Sequence, residues 1–188
     1  MRRIVVSEFI SLDGVVEDPG GAEGSRHGAW TFNFNDPAGM KYKLDEVSDH
    51  EAMLLGRVTY EGFAAAWPGM TDDVGFADKM NAMPKYVVSS TLERAEWNNS
   101  SVLTGDPAER VAELRSSDGG DILVAGSVSL VRALLAADLI DELRLMMFPI
   151  VLGGGKRLFG EADEARVLEL AGTQALDSGT VILTYRRP

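Results

Sequence analysis

Three times in this chain a short apolar segment runs directly into residues suited to holding phosphate: Leu54-Leu55-Gly56-Arg57-Val58-Thr59, Val87-Val88-Ser89-Ser90-Thr91 and Val124-Ala125-Gly126-Ser127. A single junction of this kind is common. Three of them constrain the fold, because they predict parallel strands whose carboxyl ends share one edge, where loops and helix N-termini surround a large anionic ligand. A dinucleotide is the natural candidate.

At 188 residues the chain has the length of one domain burying about 70% of its unfolded surface, so no disulfide or metal is needed to hold a core. The expectation is a single domain over 1–188. A formal net charge of -11 argues against nucleic acid, which is bound by clustered Lys and Arg neutralising phosphates. The absence of cysteine excludes disulfide scaffolding, thiol catalysis and thiolate metal sites, and the plain expectation is a cytoplasmic protein. After Met1-Arg2-Arg3, Glu8 and Asp13 cut the apolar run before a signal-peptide core forms. Asp138, Asp141, Glu142 and Arg144 interrupt the longest candidate span, so no membrane segment is expected.

Ile4 to Leu12 reads as a first strand ending at the turn Asp13-Gly14. Residues 17 to 37 form a long loop rich in Gly, Asp and Pro, in which Trp30, Phe32 and Phe34 at period two predict packing over a site. Asp36 and Pro37 start a helix whose apolar positions are Met40, Leu44 and Val47. Strands are expected at Ala52–Leu55, Lys85–Ser89, Val102-Leu103 and Ile122–Ala125, with helices at Thr59–Ala66, Phe76–Met83 and from Asp106-Pro107 through Leu114. A further helix opens at Ser127 and places Leu130, Val131, Leu134 and Leu135 at a 3.6 period. Leu139 to Val151 reads as a long strand with a bulge or end at Pro149, and Ala165–Ala171 with Gly179–Arg186 as an antiparallel pair around Asp177-Ser178-Gly179.

Several chemistries fail on spacing. His50-Glu51 lacks the second zinc ligand, since Leu54 stands four residues after His50. Gly155-Lys156 is followed by Arg157 where a P-loop needs Ser or Thr, and Ile150 replaces its first glycine. No Gly-x-Ser-x-Gly elbow occurs, and the first strand is not followed by Gly-x-Gly-x-x-Gly. What survives is Gly56-Arg57-Val58-Thr59 at a strand-to-helix junction, where free N–H groups and Arg57 suit a phosphate, with Gly126-Ser127 as a second such place. Ser89, Ser90 and Thr91 add hydroxyls, although such clusters also simply form turns.

Ser11-Leu12-Asp13-Gly14, Leu55-Gly56-Arg57-Val58-Thr59-Tyr60-Glu61, Val88-Ser89-Ser90-Thr91-Leu92, Gly126-Ser127, Asp141-Glu142-Leu143 and Pro149-Ile150-Val151-Leu152-Gly153 together resemble the dihydrofolate reductase-like superfamily, most closely its RibD C-terminal (riboflavin-biosynthesis reductase) branch. The resemblance implies a three-layer α/β fold, with a mixed, mostly parallel central sheet flanked by helices and a C-terminal antiparallel hairpin. It also implies NADPH as cofactor, with Arg57 and Ser89 or Ser90 near the adenosine 2'-phosphate and Thr59, Gly126, Ser127 and Val128 along the pyrophosphate. Val16, Gly56, Val58 and Thr91 complete the implied cofactor contacts. The chain departs from this pattern in having Gly126-Ser127 for paired glycines and Asp13-Gly14-Val15 for Asp-Gly-Lys. No His/Cys zinc signature marks an attached deaminase.

The expected activity is an NADPH-dependent oxidoreductase passing hydride to a pterin, a ribityl-aminopyrimidine or another conjugated C=N or C=O compound. The alternative is a noncatalytic NADP-binding or ligand-binding module. Asp13 is the expected substrate-positioning or protonating group, ahead of Glu8 and Asp36, and Trp30 and Phe34 the expected walls of the substrate pocket. The resemblance adds a homodimer, and the run Leu145-Met146-Met147-Phe148 suits either a partner subunit or a doubly covered sheet.

Overall fold

A computed structural model describes residues 1–160 and 165–188. In chain order the elements are β1 (Ile4–Ser11), α1 (Pro37–Asp49), β2 (Ala52–Gly56), α2 (Arg57–Ala66), α3 (Phe76–Ala82), β3 (Lys85–Val88), β4 (Ser100–Leu103), α4 (Pro107–Ser116), β5 (Ile122–Val124), α5 (Val128–Ala136), β6 (Glu142–Phe148), β7 (Glu169–Ala175) and β8 (Val181–Arg186). All the strands belong to one eight-stranded sheet of order β4-β3-β2-β5-β1-β6-β8-β7. Pairing is parallel from β4 through β6 and antiparallel where β8 joins β6 and β7. The fold is therefore the expected mixed, mostly parallel sheet with a C-terminal hairpin.

The central strands β2 and β5 are apolar along their whole length because helices cover both faces. Ile4, Val6 and Ile10 of β1 pack with Leu54, Val124 and the α5 residues Leu130, Val131 and Leu134. Val5, one residue out of phase, packs on the other face with Val47 of α1, Tyr60 of α2 and Met80 of α3. Pairing of β1 with β5 stops at Val6↔Val124, whereas pairing with β6 continues to Ser11↔Phe148. The β5 side of β1 is thus left without a ladder beyond Val6, and a gap opens at the carboxyl edge.

Several local expectations shift. The strand expected over Leu139–Val151 is only Glu142–Phe148, because the Asp141 carboxylate is turned back onto the Ile4 N–H and Pro149 has no N–H to continue the ladder. The first hairpin strand is Glu169–Ala175 rather than Ala165–Ala171, its register fixed at the turn by Leu176 N–H donating to Thr180 C=O. Residues Trp30–Phe34 form a 3-10 helix, so period two does not hold: Trp30 is buried while Phe32 points outward at 62% exposure. The run Leu145 to Phe148 lies in a strand flanked by β1 and β8, with Leu145, Met146 and Phe148 buried within the chain itself.

Helix α1 departs most from its pattern. Met40 is 69% exposed, and the buried positions are Gly39, Glu46 and Val47. The Glu46 carboxylate accepts from Ser7 Oγ at 2.9 Å and Arg144 Nη1 at 3.2 Å, and is also bonded by Lys43. Burial alone would raise Glu46, but Lys43, Ser7 and Arg144 outweigh it and hold the group below its ordinary value. This polar seam joins α1 to β1 and β6.

Candidate active site

The carboxyl ends of β3, β2 and β5 lie side by side, with Gly56 in register with Val88. The three phosphate-suited junctions therefore share one rim. Gly56 N–H donates to Gly126 C=O at 3.1 Å. A Cβ at Gly56 would lie 2.1 Å from Ser127 Oγ, and one at Gly126 would lie 2.8 Å from Thr59 Oγ1. Only glycine lets the two junctions touch in this way. The Gly126-Ser127 peptide is cis.

Helices α2 and α5 start from this contact, and neither has a side chain bonded to its first N–H groups. The contrast lies within the same chain, for Asp36 caps α1 and Asp106 caps α4. Two uncapped positive helix ends placed together suit a doubly charged anion. Val58 on α2 is 39% exposed beside them, and Ser127 Oγ exchanges a 3.0 Å hydrogen bond with Ser129 Oγ. Val128 is half-buried at the first position of α5.

Toward β3, Arg57 is exposed and its Nη1 donates to the Glu61 carboxylate at 2.9 and 3.1 Å. A surface pair of this kind is weak enough for a phosphate to replace. Ser90 and Thr91 are exposed at the end of β3. Ser89 is not free, since its Oγ accepts from the N–H groups of Thr91 and Leu92 and closes the turn. Val16 is buried in the apolar core on the α5 side of the sheet, so its side chain is removed from solvent.

The carboxylate of Asp13, expected to position or protonate substrate, is engaged by the surrounding backbone. It accepts from Ser11 Oγ at 2.7 Å, Leu152 N–H at 3.1 Å and Gly153 N–H at 2.9 Å, tying the turn after β1 to the segment after β6. The Ser11 hydroxyl and the Leu152 and Gly153 amides pull its pKa down to about 2. A carboxyl ionised that firmly is unsuited to donate a proton at neutral pH. Asp36 is likewise held below its ordinary value, by Ser178, Ala38 and Gly39 amides. Trp30 is 2% exposed, stacks edge-on against Phe148 at 5.4 Å and donates its Nε1–H to Glu17 C=O, which makes it a core residue anchoring the 17–37 loop. Phe34, half-buried beside Phe148, Phe9 and Tyr42, remains a candidate pocket wall.

Glu8 is the acid that lies nearer the rim. It lies on β1 beyond the last β5 pair, and its Oε1 is 3.7 Å from where a Gly126 Cβ would stand. That oxygen is sealed from solvent and has no hydrogen-bond partner. Burial raises the Glu8 pKa to about 8 against the opposing pull of Lys43, so the group is largely protonated at neutral pH. Its signal in the sequence is an acid on the apolar face of a strand otherwise alternating correctly.

Among the described residues one cavity lies near these features and another far from them. One of about 190 Å³ lies between the flap and the segment after β6, lined by Val15, Glu17, Arg26, His27 and Leu152. A larger one of about 440 Å³ is lined by Ile140, Glu142, Tyr185 and Arg186, at the opposite end of the sheet from the rim. Arg186 there is paired with Glu142 and Arg187 with Asp141. Among the described residues no cluster of His, Cys, Asp or Glu is arranged to hold a metal, and no helix is long and apolar enough to cross a membrane.

Comparison with known proteins gives a consistent picture. The chain is 28% identical over 189 residues to the uncharacterized protein YyaP of Bacillus subtilis (strain 168), covering 98% of this chain and 94% of that one. Its fold matches a putative riboflavin biosynthesis protein from Shewanella sp. PV-4 at a TM-score of 0.74, with 21% identity and 99% of both chains covered. It also matches dihydrofolate reductase from Enterococcus faecalis complexed with NADP(H) and RAB-propyl, at a TM-score of 0.64 and 19% identity over 98% of this chain and 96% of that one. The description of the RibD C-terminal domain fits residues 2–182, nearly the full length, and the chain belongs to that family.

Proposed function

We propose that the protein is an NADPH-dependent reductase that passes hydride to a small planar heterocycle or another conjugated C=N or C=O compound. One observation carries the reading: the uncapped N-termini of α2 and α5 meet at Gly56 and Gly126 on the rim shared by β3, β2 and β5. The pyrophosphate would sit on the first N–H groups of the two helices. From there the adenosine end would run toward β3, where Arg57, Ser90 and Thr91 can meet a 2'-phosphate. The other end would enter the gap between β5 and β1, where a bound nicotinamide supplies the hydride. A related fold that holds NADP(H), dihydrofolate reductase from Enterococcus faecalis, supports the same choice of cofactor.

The chain's own residues would bind and orient. Phe9, Phe34, Tyr42 and Phe148 offer an apolar wall for a flat ring on the α1 side of β1. Arrangement as a homodimer belongs to the same proposal, supported by the exposed edge strand β7, whose Leu170 is 56% exposed. The test is titration of purified protein with NADPH and NADH, followed by a panel of pterins, flavins and ribityl-aminopyrimidines. Loss of the reduced-nicotinamide absorbance with one of them is expected. Binding without loss across the panel would favour a noncatalytic NADP-binding module, and no binding of either nucleotide would refute the reading.

A further inference from the structure

We infer that Glu8 is a proton store linked to the redox state of the bound cofactor, neutral beside a reduced nicotinamide and ionised beside an oxidised one. The inference rests on the reductase reading for the placement of the nicotinamide. A dinucleotide whose pyrophosphate lies on α2 and α5 would bring its second ring toward the place where β1 loses its β5 partner after Val6. Glu8 is two residues beyond that point and borders Gly126.

The state of the carboxyl fits this task. Its Oε1 is sealed and lacks a partner, in a chain that otherwise supplies its buried acids generously: Glu46 and Glu142 are each held by several cationic groups. The charges around Glu8 are few. On α1, the Lys43 ammonium bonds to Ser7 Oγ and Glu46 and sits 5.2 Å over the Phe9 ring, on the opposite face of β1. The β6 neighbour is Leu145, and the groups offered by the β5–α5 junction and α2 are Gly126, Ser127 and Thr59, none of them charged. The carboxyl therefore stays neutral until a positive charge arrives nearby.

Hydride transfer brings that charge. The C4–H bond of the reduced ring breaks with its electron pair going to the substrate carbon, and the ring becomes a cation. The Glu8 O–H bond breaks, its electrons stay as the carboxylate, and one proton is released. That proton matches the one taken up by the nitrogen or oxygen of the reduced C=N or C=O group, so the total charge within the gap is unchanged.

The test reads binding, without turnover. The ratio of NADP+ to NADPH affinity is measured from pH 6 to 8, a ratio in which titration of the shared 2'-phosphate cancels. Wild-type protein should favour NADP+ increasingly as pH rises, by up to about tenfold per unit below the Glu8 pKa. Calorimetry in two buffers of different ionisation heat should show nearly a full proton released on NADP+ binding at pH 7 and none of it with NADPH. In Glu8→Gln the ratio should be flat and the release absent. A flat wild-type ratio, or a slope that survives in Glu8→Gln, overturns the inference while leaving the reductase standing. Failure of both nucleotides to bind overturns the reductase reading, and this inference with it.

Discussion

Replacing Glu8 with Gln should make the ligand-free protein more stable at neutral pH. Unfolded, Glu8 titrates near 4.5, and in the folded protein burial moves it to about 8. The native state then holds a proton that the unfolded chain has lost, so stability is full below about 4.5 and falls as pH rises toward 8. At pH 7 this loss amounts to about 3 kcal/mol relative to pH 4. Gln cannot titrate and carries no such loss, while every other group is common to both proteins. The difference in unfolding free energy between Glu8→Gln and wild type should therefore grow by about 3 kcal/mol between pH 4 and 7, equivalent to roughly 6–12 °C in Tm for a domain of this size. Urea unfolding at half-unit pH steps measures it, and the pH-dependent part is independent of how well the amide packs. Parallel stability profiles would show that Glu8 is not buried as a neutral acid and would remove the basis for its role.

Three further substitutions probe the rim and its neighbours. Gly56→Ala has no backbone strain to contend with, since φ is -79°. Its Cβ meets Ser127, however, and it should cost about 1–3 kcal/mol and reduce NADPH affinity at least about tenfold, measured by melting and titration. Arg57→Ala should leave Tm unchanged, because the Glu61 pair is exposed, yet narrow the preference for NADPH over NADH by about tenfold or more; equal affinities for both nucleotides in wild type would remove this assignment. Asp13→Asn should loosen the segment after β6, seen as faster amide exchange at Leu152 and Gly153, and should leave the shape of the pH–rate profile above pH 5 unchanged. With its carboxyl at about 2, an alkaline limb present in wild type and lost in that variant would restore Asp13 as the acid.

Legibility in the sequence followed the range of the interactions. The three junctions were readable because Gly, Ser and Arg act on the backbone within a few residues, and strand-to-helix alternation implies a parallel sheet. Residues whose partners are distant in the chain were not. The spacing predicts Met40, Leu44 and Val47 as the buried face of α1, yet Glu46 turns inward because Ser7 and Arg144 arrive from β1 and β6 to satisfy it. Asp13 looked like a free turn acid until Leu152 and Gly153, nearly 140 positions onward, took its oxygens. Trp30 and Phe34 pack on Phe148 as their aromatic character predicts, and only Phe32 turns outward, because a 3-10 turn does not keep residues at period two on one face.

Glu8 shows what such a misfit can signify. In β1 the polar residues Ser7 and Ser11 lie on one face, and Glu8 alone interrupts the other, which carries Ile4, Val6 and Ile10. An acid on an apolar face has two ordinary outcomes: it draws in a cation, as Glu46 and Glu142 do here, or it shifts its pKa and stays neutral. The nearest cation, Lys43, is committed on the far side of the strand, which leaves the second. Keeping an unpartnered carboxyl costs stability that a Val or Leu at this position would not. The cost falls at the point where the sheet opens beside two uncapped helix ends. A destabilising group at that point is better accounted for by the chemistry of the proposed cofactor ring than by the fold.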